Sequence, residues 1–216
     1  MKAAVITFPG SNRDGDVAKA LKQAGAEVSH VWHGDSELPA GTDLVVLPGG
    51  FSYGDYLRTG AIAGRAHIMD ATRAHAARGG YVLGICNGFQ IACEAGLLPG
   101  ILVRNAHLKF VCKRQHLKVE RNDTPYTSAY AKGQAIDVCI AHGEGNYIAD
   151  AETLARLVRL VARREPRVVV ALGEAPRGWL SGDEFLSRAD GADAGAGAAG
   201  TRRASEAATD VDPRAP

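Results

Sequence analysis

This chain of 216 residues has almost no net charge: 25 Lys and Arg stand against 24 Asp and Glu. No block of basic residues marks a nucleic-acid footprint. No uninterrupted apolar run approaches the span of a bilayer, and the start of the chain lacks the basic-then-apolar pattern of an export signal. Cysteine is scarce. The four present, Cys86, Cys93, Cys112 and Cys139, show no CxxC spacing and no paired histidines, so neither a zinc site nor a disulfide framework is indicated. These absences predict a soluble, cytoplasmic chain in a reducing compartment, without a metal of its own.

What is present is a series of short β-rich runs alternating with helical patterns. Ala3 to Phe8, Glu27 to Trp32, Leu44 to Leu47 and Tyr81 to Ile85 read as strands. Val17, Ala20, Leu21 and Ala24 recur at helical spacing before Gly25, a C-cap, and Arg65 to Arg78 is a second helix. Strands alternating with helices predict an α/β fold with a doubly wound, mostly parallel sheet. Ile101 to Val103, Leu108 to Lys113 and Leu117 to Arg121 are further β-like runs suited to antiparallel pairing. Ala135 to Ala141 is another strand, and Asp150 caps a helix through Leu154 and Leu157. From about residue 158 roughly half the residues are Ala, Arg or Gly, a composition typical of disorder. This divides the chain into a domain over 1–157 and a tail over 158–216, in which only Val168 to Leu172 still resembles a strand. Gly195 to Gly200 spells GxGxxG but follows no strand, so it carries no dinucleotide prediction.

The chemistry concentrates in Gly84-Ile85-Cys86-Asn87-Gly88-Phe89-Gln90, which follows the apolar run Tyr81-Val82-Leu83. A strand, then Gly-x-Cys-x-Gly, then a helix is the form of a nucleophile elbow, a sharp turn that lifts one side chain above the sheet edge. The alternative is an inert core cysteine. At a helix N-terminus the Cys86 thiol is expected to have a lowered pKa. A thiolate attacking a carbonyl needs fixed donors for the developing negative charge. The Asn87 N–H is one, and the Pro48-Gly49-Gly50-Phe51 turn, at another strand end, suits the second.

Pro48-Gly49-Gly50-Phe51-Ser52-Tyr53-Gly54-Asp55, the Cys86 segment and Ala141-His142-Gly143-Glu144-Gly145-Asn146-Tyr147 together resemble class I glutamine amidotransferases. Within that class they are similar to the glutaminase subunits of phosphoribosylformylglycinamidine synthase. So are Phe8-Pro9-Gly10-Ser11-Asn12 with Asp14, Arg104-Asn105 and Phe110-Val111-Cys112-Lys113. The resemblance covers residues 1–157. It implies hydrolysis of L-glutamine through a thioester on Cys86, supplying ammonia for purine biosynthesis. Gly50 and Asn87 would form the oxyanion hole, Gln90 would help hold glutamine, and His142, Gly143 and Glu144 would border it through their backbone. The implied partner is a large synthetase subunit, with a small third subunit in some complexes. ATP and Mg would be used by that partner, leaving no cofactor in this chain.

One departure stands out. The family carries a Pro-His-Pro-Glu motif near the C-terminus, whose histidine is the general base and whose glutamate orients it. No such motif occurs here, and the last histidine is His142. The Ala/Arg/Gly-rich text after residue 157 is what GC-rich coding DNA yields out of frame, so a frameshift is the expectation, and with it an impaired glutaminase. His142, before a glycine, reads as a turn residue rather than a substitute base, and Glu94 as a solvated helix position. Two other readings stay open: a non-catalytic subunit that holds the synthetase, and another cysteine-elbow hydrolase or chaperone. The latter group typically places histidine directly after the cysteine, where this chain has Asn87.

Overall fold

The computed structural model describes residues 1–155 and the strand Val168–Ala171. Its centre is a parallel sheet built from β1 (Lys2–Thr7), β2 (Glu27–Trp32), β3 (Leu44–Leu47), β4 (Tyr81–Ile85) and β9 (Val168–Ala171), in the order β2-β1-β3-β4-β9. Side-chain alternation explains why both faces are covered. Ala4, Ile6, Val45, Leu47 and Val82 point to one face and pack with Ile68, Met69, Ile91 and Ala92. Ala3, Val5, Leu44 and Val46 point to the other and meet Val17 and Leu21. With both sides buried, the inner strands must be apolar at every position. All four residues of β3 are buried.

The first face is covered by α2 (Ile68–Ala77) and α3 (Asn87–Glu94), the second by α1 (Asp14–Gln23). Gly25, at φ +83°, ends α1 in a Schellman motif, with Ala26 N–H donating to Leu21 O and Gly25 N–H to Lys22 O. The helix expected over Arg65 to Arg78 begins later. A 3-10 turn at Ala63–Arg65 is followed by an extended Ala66 before α2 starts.

Outside the sheet, β5 (Ile101–Val103) pairs antiparallel with β8 (Asn146–Ile148), and β6 (Val111–Lys118) with β7 (Ala135–His142). The two runs read separately on either side of Arg114 to His116 are therefore largely one strand. Their polar centre is tolerated because this ribbon turns one face to solvent: Cys112, Arg114, His116 and Lys118 are exposed. Asp150 caps a helical turn over 151–155, its carboxylate accepting from Thr153 N–H at 2.6 Å.

The strand expected near Val168 forms and lies along β4, from Val82↔Val168 to Ile85↔Ala171. The rest of the expected tail, 158–167 and 172–216, lies outside the described residues. Among the described residues no helix is long and apolar enough to cross a membrane.

Candidate active site

In an open parallel sheet the site belongs beyond the carboxyl ends of the strands, where the strand order reverses. Here the reversal lies at β1, between β2 and β3. The loops leaving β1 and β3 meet there, with Ser11 and Gly50 forming an antiparallel bridge. Gly50, at φ +139°, is needed for this approach, because a β-carbon on it would lie 2.8 Å from the Asn12 nitrogen. The neighbouring Gly49 brings the same loop against the next strand end. A β-carbon built there would be 3.4 Å from Cys86 Cβ.

Cys86 occupies the junction of β4 and α3 with φ +52° and ψ −109°, a conformation that costs a non-glycine residue of order 1–3 kcal/mol and persists only when its surroundings enforce it. The enforcement comes from two close contacts. Gly84 lies against the Gly88 carbonyl and Gly88 against Leu47 O of β3, so α3 starts directly on the sheet. Phe89 N–H and Gln90 N–H both reach back to Cys86 O, at 3.0 and 3.4 Å.

Cys86 remains open to solvent, but packing around it pushes the thiol above its ordinary value. The Asn87 N–H, hydrogen-bonded to the sulfur, pulls it back in part, and the Asp55 charge adds to the rise. The lowered pKa expected from the helix terminus is thus corrected: burial outweighs the favourable amide. Cys93, seven residues on, is a buried core thiol pushed up to about 12.

A cavity of about 150 Å³ opens beside the sulfur and is lined by Cys86, Gln90, His142 and Glu144, with Phe89 and Leu102 as its apolar floor. Four of the expected site residues are therefore brought together from two separate segments, 86–90 and 142–144. Gly50 and Gly143 do not line it, and Asn87 is buried behind it. Gln90 donates through Nε2 to Glu144 O at 2.7 Å, and Glu144 Oε2 accepts from Thr59 N–H at 2.8 Å. A wider crevice of about 420 Å³, lined in part by Glu37, His75 and Arg78, sits near the amino end of β3 and has no cysteine in its lining.

Three residues matter more than their sequence context suggested. Asn105 is the hub of the turn after β7: its Oδ1 accepts from Gly145 N–H at 2.9 Å and faces His142 Nδ1 at 3.0 Å. Its Nδ2 donates to His142 O and Lys109 O. His142, read from the sequence as a turn residue, is the last residue of β7, with Nδ1 facing Asn105 Oδ1. Glu94 is not a solvated position but holds Arg58 through two bonds and keeps a side chain only 9% exposed. Asp55 has a left-handed backbone (φ +57°) and a buried Oδ1 without a hydrogen-bond partner among the described residues.

Burial, and secondarily the Glu144 charge, push the Asp55 carboxyl up to about 6. The folded state disfavours its ionised form. The resulting cost is absent below the unfolded carboxylate's value near 4, grows as pH rises to about 6, and is constant above. Asp55→Asn, which tolerates the same backbone, is expected to stabilise the chain at pH 7.5 by about 1 kcal/mol. That figure is well below the full shift, because the group is only half-buried. Thermal melts at about pH 7.5 and pH 4 check this; a gain that persists at the lower pH would contradict it.

A cysteine perched at a strand-to-helix turn on a doubly wound sheet, with the glycine loop of the adjacent strand against it, is the arrangement of the class I glutamine amidotransferases. The profile of the CobB/CobQ-like glutamine amidotransferase domain matches residues 1–162. Phosphoribosylformylglycinamidine synthase subunit PurQ of Bradyrhizobium diazoefficiens is 66% identical over 158 residues, 73% of this chain and 68% of that protein. The subunit of the same name from Cereibacter sphaeroides is 58% identical over 180 residues, 83% of this chain and 79% of that one. A chain in the structure of PurLQS from Thermotoga maritima matches with a TM-score of 0.66 and 48% identity, covering 70% of each chain. The chain belongs to the family of glutaminase subunits of phosphoribosylformylglycinamidine synthase.

Proposed function

We propose that this chain is built to hydrolyse L-glutamine and deliver ammonia to a phosphoribosylformylglycinamidine synthetase subunit in purine biosynthesis. The observation that carries the reading is the left-handed Cys86 at the β4–α3 junction with the Asn87 N–H on its sulfur. In this reading Cys86 Sγ attacks the carboxamide carbon of glutamine. Asn87 N–H and an amide of the Gly49–Gly50 turn stabilise the oxyanion, at about a hundredfold to a thousandfold per donor. The C–N bond breaks as the nitrogen takes up a proton, ammonia leaves, and water cleaves the thioester to glutamate and free thiol. Gln90 and the backbone of His142, Gly143 and Glu144 hold the amino-acid portion. ATP and Mg belong to the synthetase, and the likeness to a chain of PurLQS from Thermotoga maritima supports a complex with a large and a small subunit. The free cysteines suit a cytoplasmic setting.

Residues 1–157 form the amidotransferase unit in this proposal, and residues 158–216 carry no histidine and no Pro-His-Pro-Glu motif. A second reading is favoured by one observation, that the last histidine is His142. On it the chain is a non-catalytic subunit that holds the synthetase. Alkylation of Cys86 by the diazoketone analogue of L-glutamine, with loss of N₂, separates the two. Labelling that glutamine slows and that Cys86→Ala abolishes is expected; labelling indifferent to glutamine would remove the glutaminase reading.

A further inference from the structure

Two buried amide side chains on the first turn of α3 join three segments of the site. Asn87 is 1% exposed and Gln90 is 8% exposed. Asn87 Oδ1 accepts from Ser52 N–H at 3.1 Å, Asn87 Nδ2 donates to Gln90 Oε1 at 3.2 Å, and Gln90 Nε2 donates to Glu144 O at 2.7 Å. The ring closes through the Glu144 carboxylate, which accepts from Thr59 N–H in the loop that also carries Ser52.

The polarity of this relay is not free. Its two ends are backbone groups of fixed character, a donor at Ser52 and an acceptor at Glu144. The Gln90 NH₂ must therefore face Glu144, its oxygen must face Asn87, and the Asn87 NH₂ must face Gln90. With one Nε2–H committed to Glu144 O and Oε1 turned toward Asn87, the donor Gln90 can still offer the cavity is its second Nε2–H. Only a residue with an acceptor and a donor at asparagine's reach satisfies both neighbours, since aspartate would set oxygen against oxygen and leucine would leave buried groups unpaired.

We propose that the Asn87 side chain is a positioning residue that locks the Gln90 amide in this orientation and ties it to the loop following the Gly49–Gly50 turn, so that Gln90 presents a donor to a carboxylate or carbonyl oxygen of bound glutamine. This rests on the reading of Cys86 as a glutamine-directed nucleophile. The Asn87 side chain, as distinct from its backbone N–H, acts only through Gln90 and the Ser52 loop.

The discriminating variant is Asn87→Asp. When protonated, its carboxyl reproduces the amide, with the carbonyl accepting from Ser52 N–H and the hydroxyl donating to Gln90 Oε1. When ionised, it cannot donate, and the relay breaks. The titratable and charged groups around it are Cys86 on the same turn, Asp55 and Arg58 on the loop, Glu94 at the far end of α3, and His142 and Glu144 beyond β7. All are shared with the parent, so the variant-to-parent ratio isolates position 87.

The experiment measures Cys86 alkylation of the full chain by the diazoketone analogue of L-glutamine, and by iodoacetamide as a probe that does not need Gln90. At pH 8 the Asn87→Asp ratio for the diazoketone, divided by the iodoacetamide ratio to remove the effect of the new charge on the thiolate, is expected to be about tenfold or more below the parent, through half-saturation. The diazoketone ratio should recover as pH is lowered toward about 5.5, although both absolute rates fall with the thiolate. As a fold-sparing check, Asn87→Ser added to Gln90→Ala should cost nothing further. A ratio flat with pH, a matching fall in iodoacetamide labelling, or additive losses in the double variant would overturn the proposal. A parent chain that the diazoketone does not label, or labels without protection by glutamine, would instead overturn the glutaminase reading beneath it.

Discussion

Gly88→Ala is expected to unseat α3 and to cost the chain about 3 kcal/mol or more, although alanine is the better helix former. In isolation the change favours the helix by about 1 kcal/mol. The tertiary structure reverses the sign. A β-carbon at Gly88 would lie 1.8 Å from Leu47 O and 2.5 Å from Leu47 C, backbone atoms of a fully buried central strand. Neither can yield without moving β3, and lifting α3 away opens the core around Ile91 and Ala92. Overpacking of this kind typically costs about 1–3 kcal/mol and more where backbone is struck. The informative control is Gly15→Ala, also in a helix, where an added β-carbon meets nothing within 4 Å. That change should stabilise the chain by up to about 1 kcal/mol. Thermal or urea melts of the two variants, followed by circular dichroism, should move in opposite directions. A Gly88→Ala chain that melts with the parent would mean that α3 does not rest on β3 as described.

Glutamine turnover by this chain is expected to be at least about a thousandfold below that of the Bradyrhizobium diazoefficiens relative, the scale on which triad enzymes lose rate when a member is removed. Two features add up here. The thiol is pushed above its ordinary value by burial, so less thiolate is present at neutral pH. No histidine follows His142, and the His142 ring already has Nδ1 on Asn105. Proton delivery to the leaving nitrogen and activation of the water that cleaves the thioester are both expected to go without their usual histidine. Steady-state release of glutamate by the two proteins side by side provides the measurement. Joining residues 1–157 to the C-terminal segment of that relative should restore turnover. Parent activity equal to the relative's would show that a base is present after all, and failure of the joined chain would place the defect elsewhere. Sequencing the coding DNA around residue 158 tests the frameshift directly, since a shifted frame should spell Pro-His-Pro-Glu.

Much of the frame could be read in advance because it depends on local pattern. Continuous apolar runs named β3 and β4 to the residue, as suits inner strands covered on both faces. Gly-x-Cys-x-Gly located the turn for a similar reason: each glycine marks a place where a β-carbon would strike backbone. Where a segment stands half in water the pattern weakens, and β6 was accordingly divided at Arg114 to His116.

The site was legible in its residue types and not in their wiring. That Cys86, Gln90, His142 and Glu144 should gather followed from motifs, but three facts did not. Asn105 as hub depends on a carbonyl and an amide about 40 residues away. The fixed polarity of the Asn87–Gln90 pair depends on a donor at Ser52 and an acceptor at Glu144. The rise of the Cys86 thiol depends on how tightly neighbours exclude water, which no spacing encodes.

The sequence by itself determined the sheet and the elbow, because each is written in adjacent residues. Only the tertiary structure decided the thiol's protonation, the orientation of Gln90 and the pairing of Val168–Ala171 with β4. Desolvation, hydrogen-bond polarity and strand register are set by groups far apart along the chain, and these become neighbours only on folding.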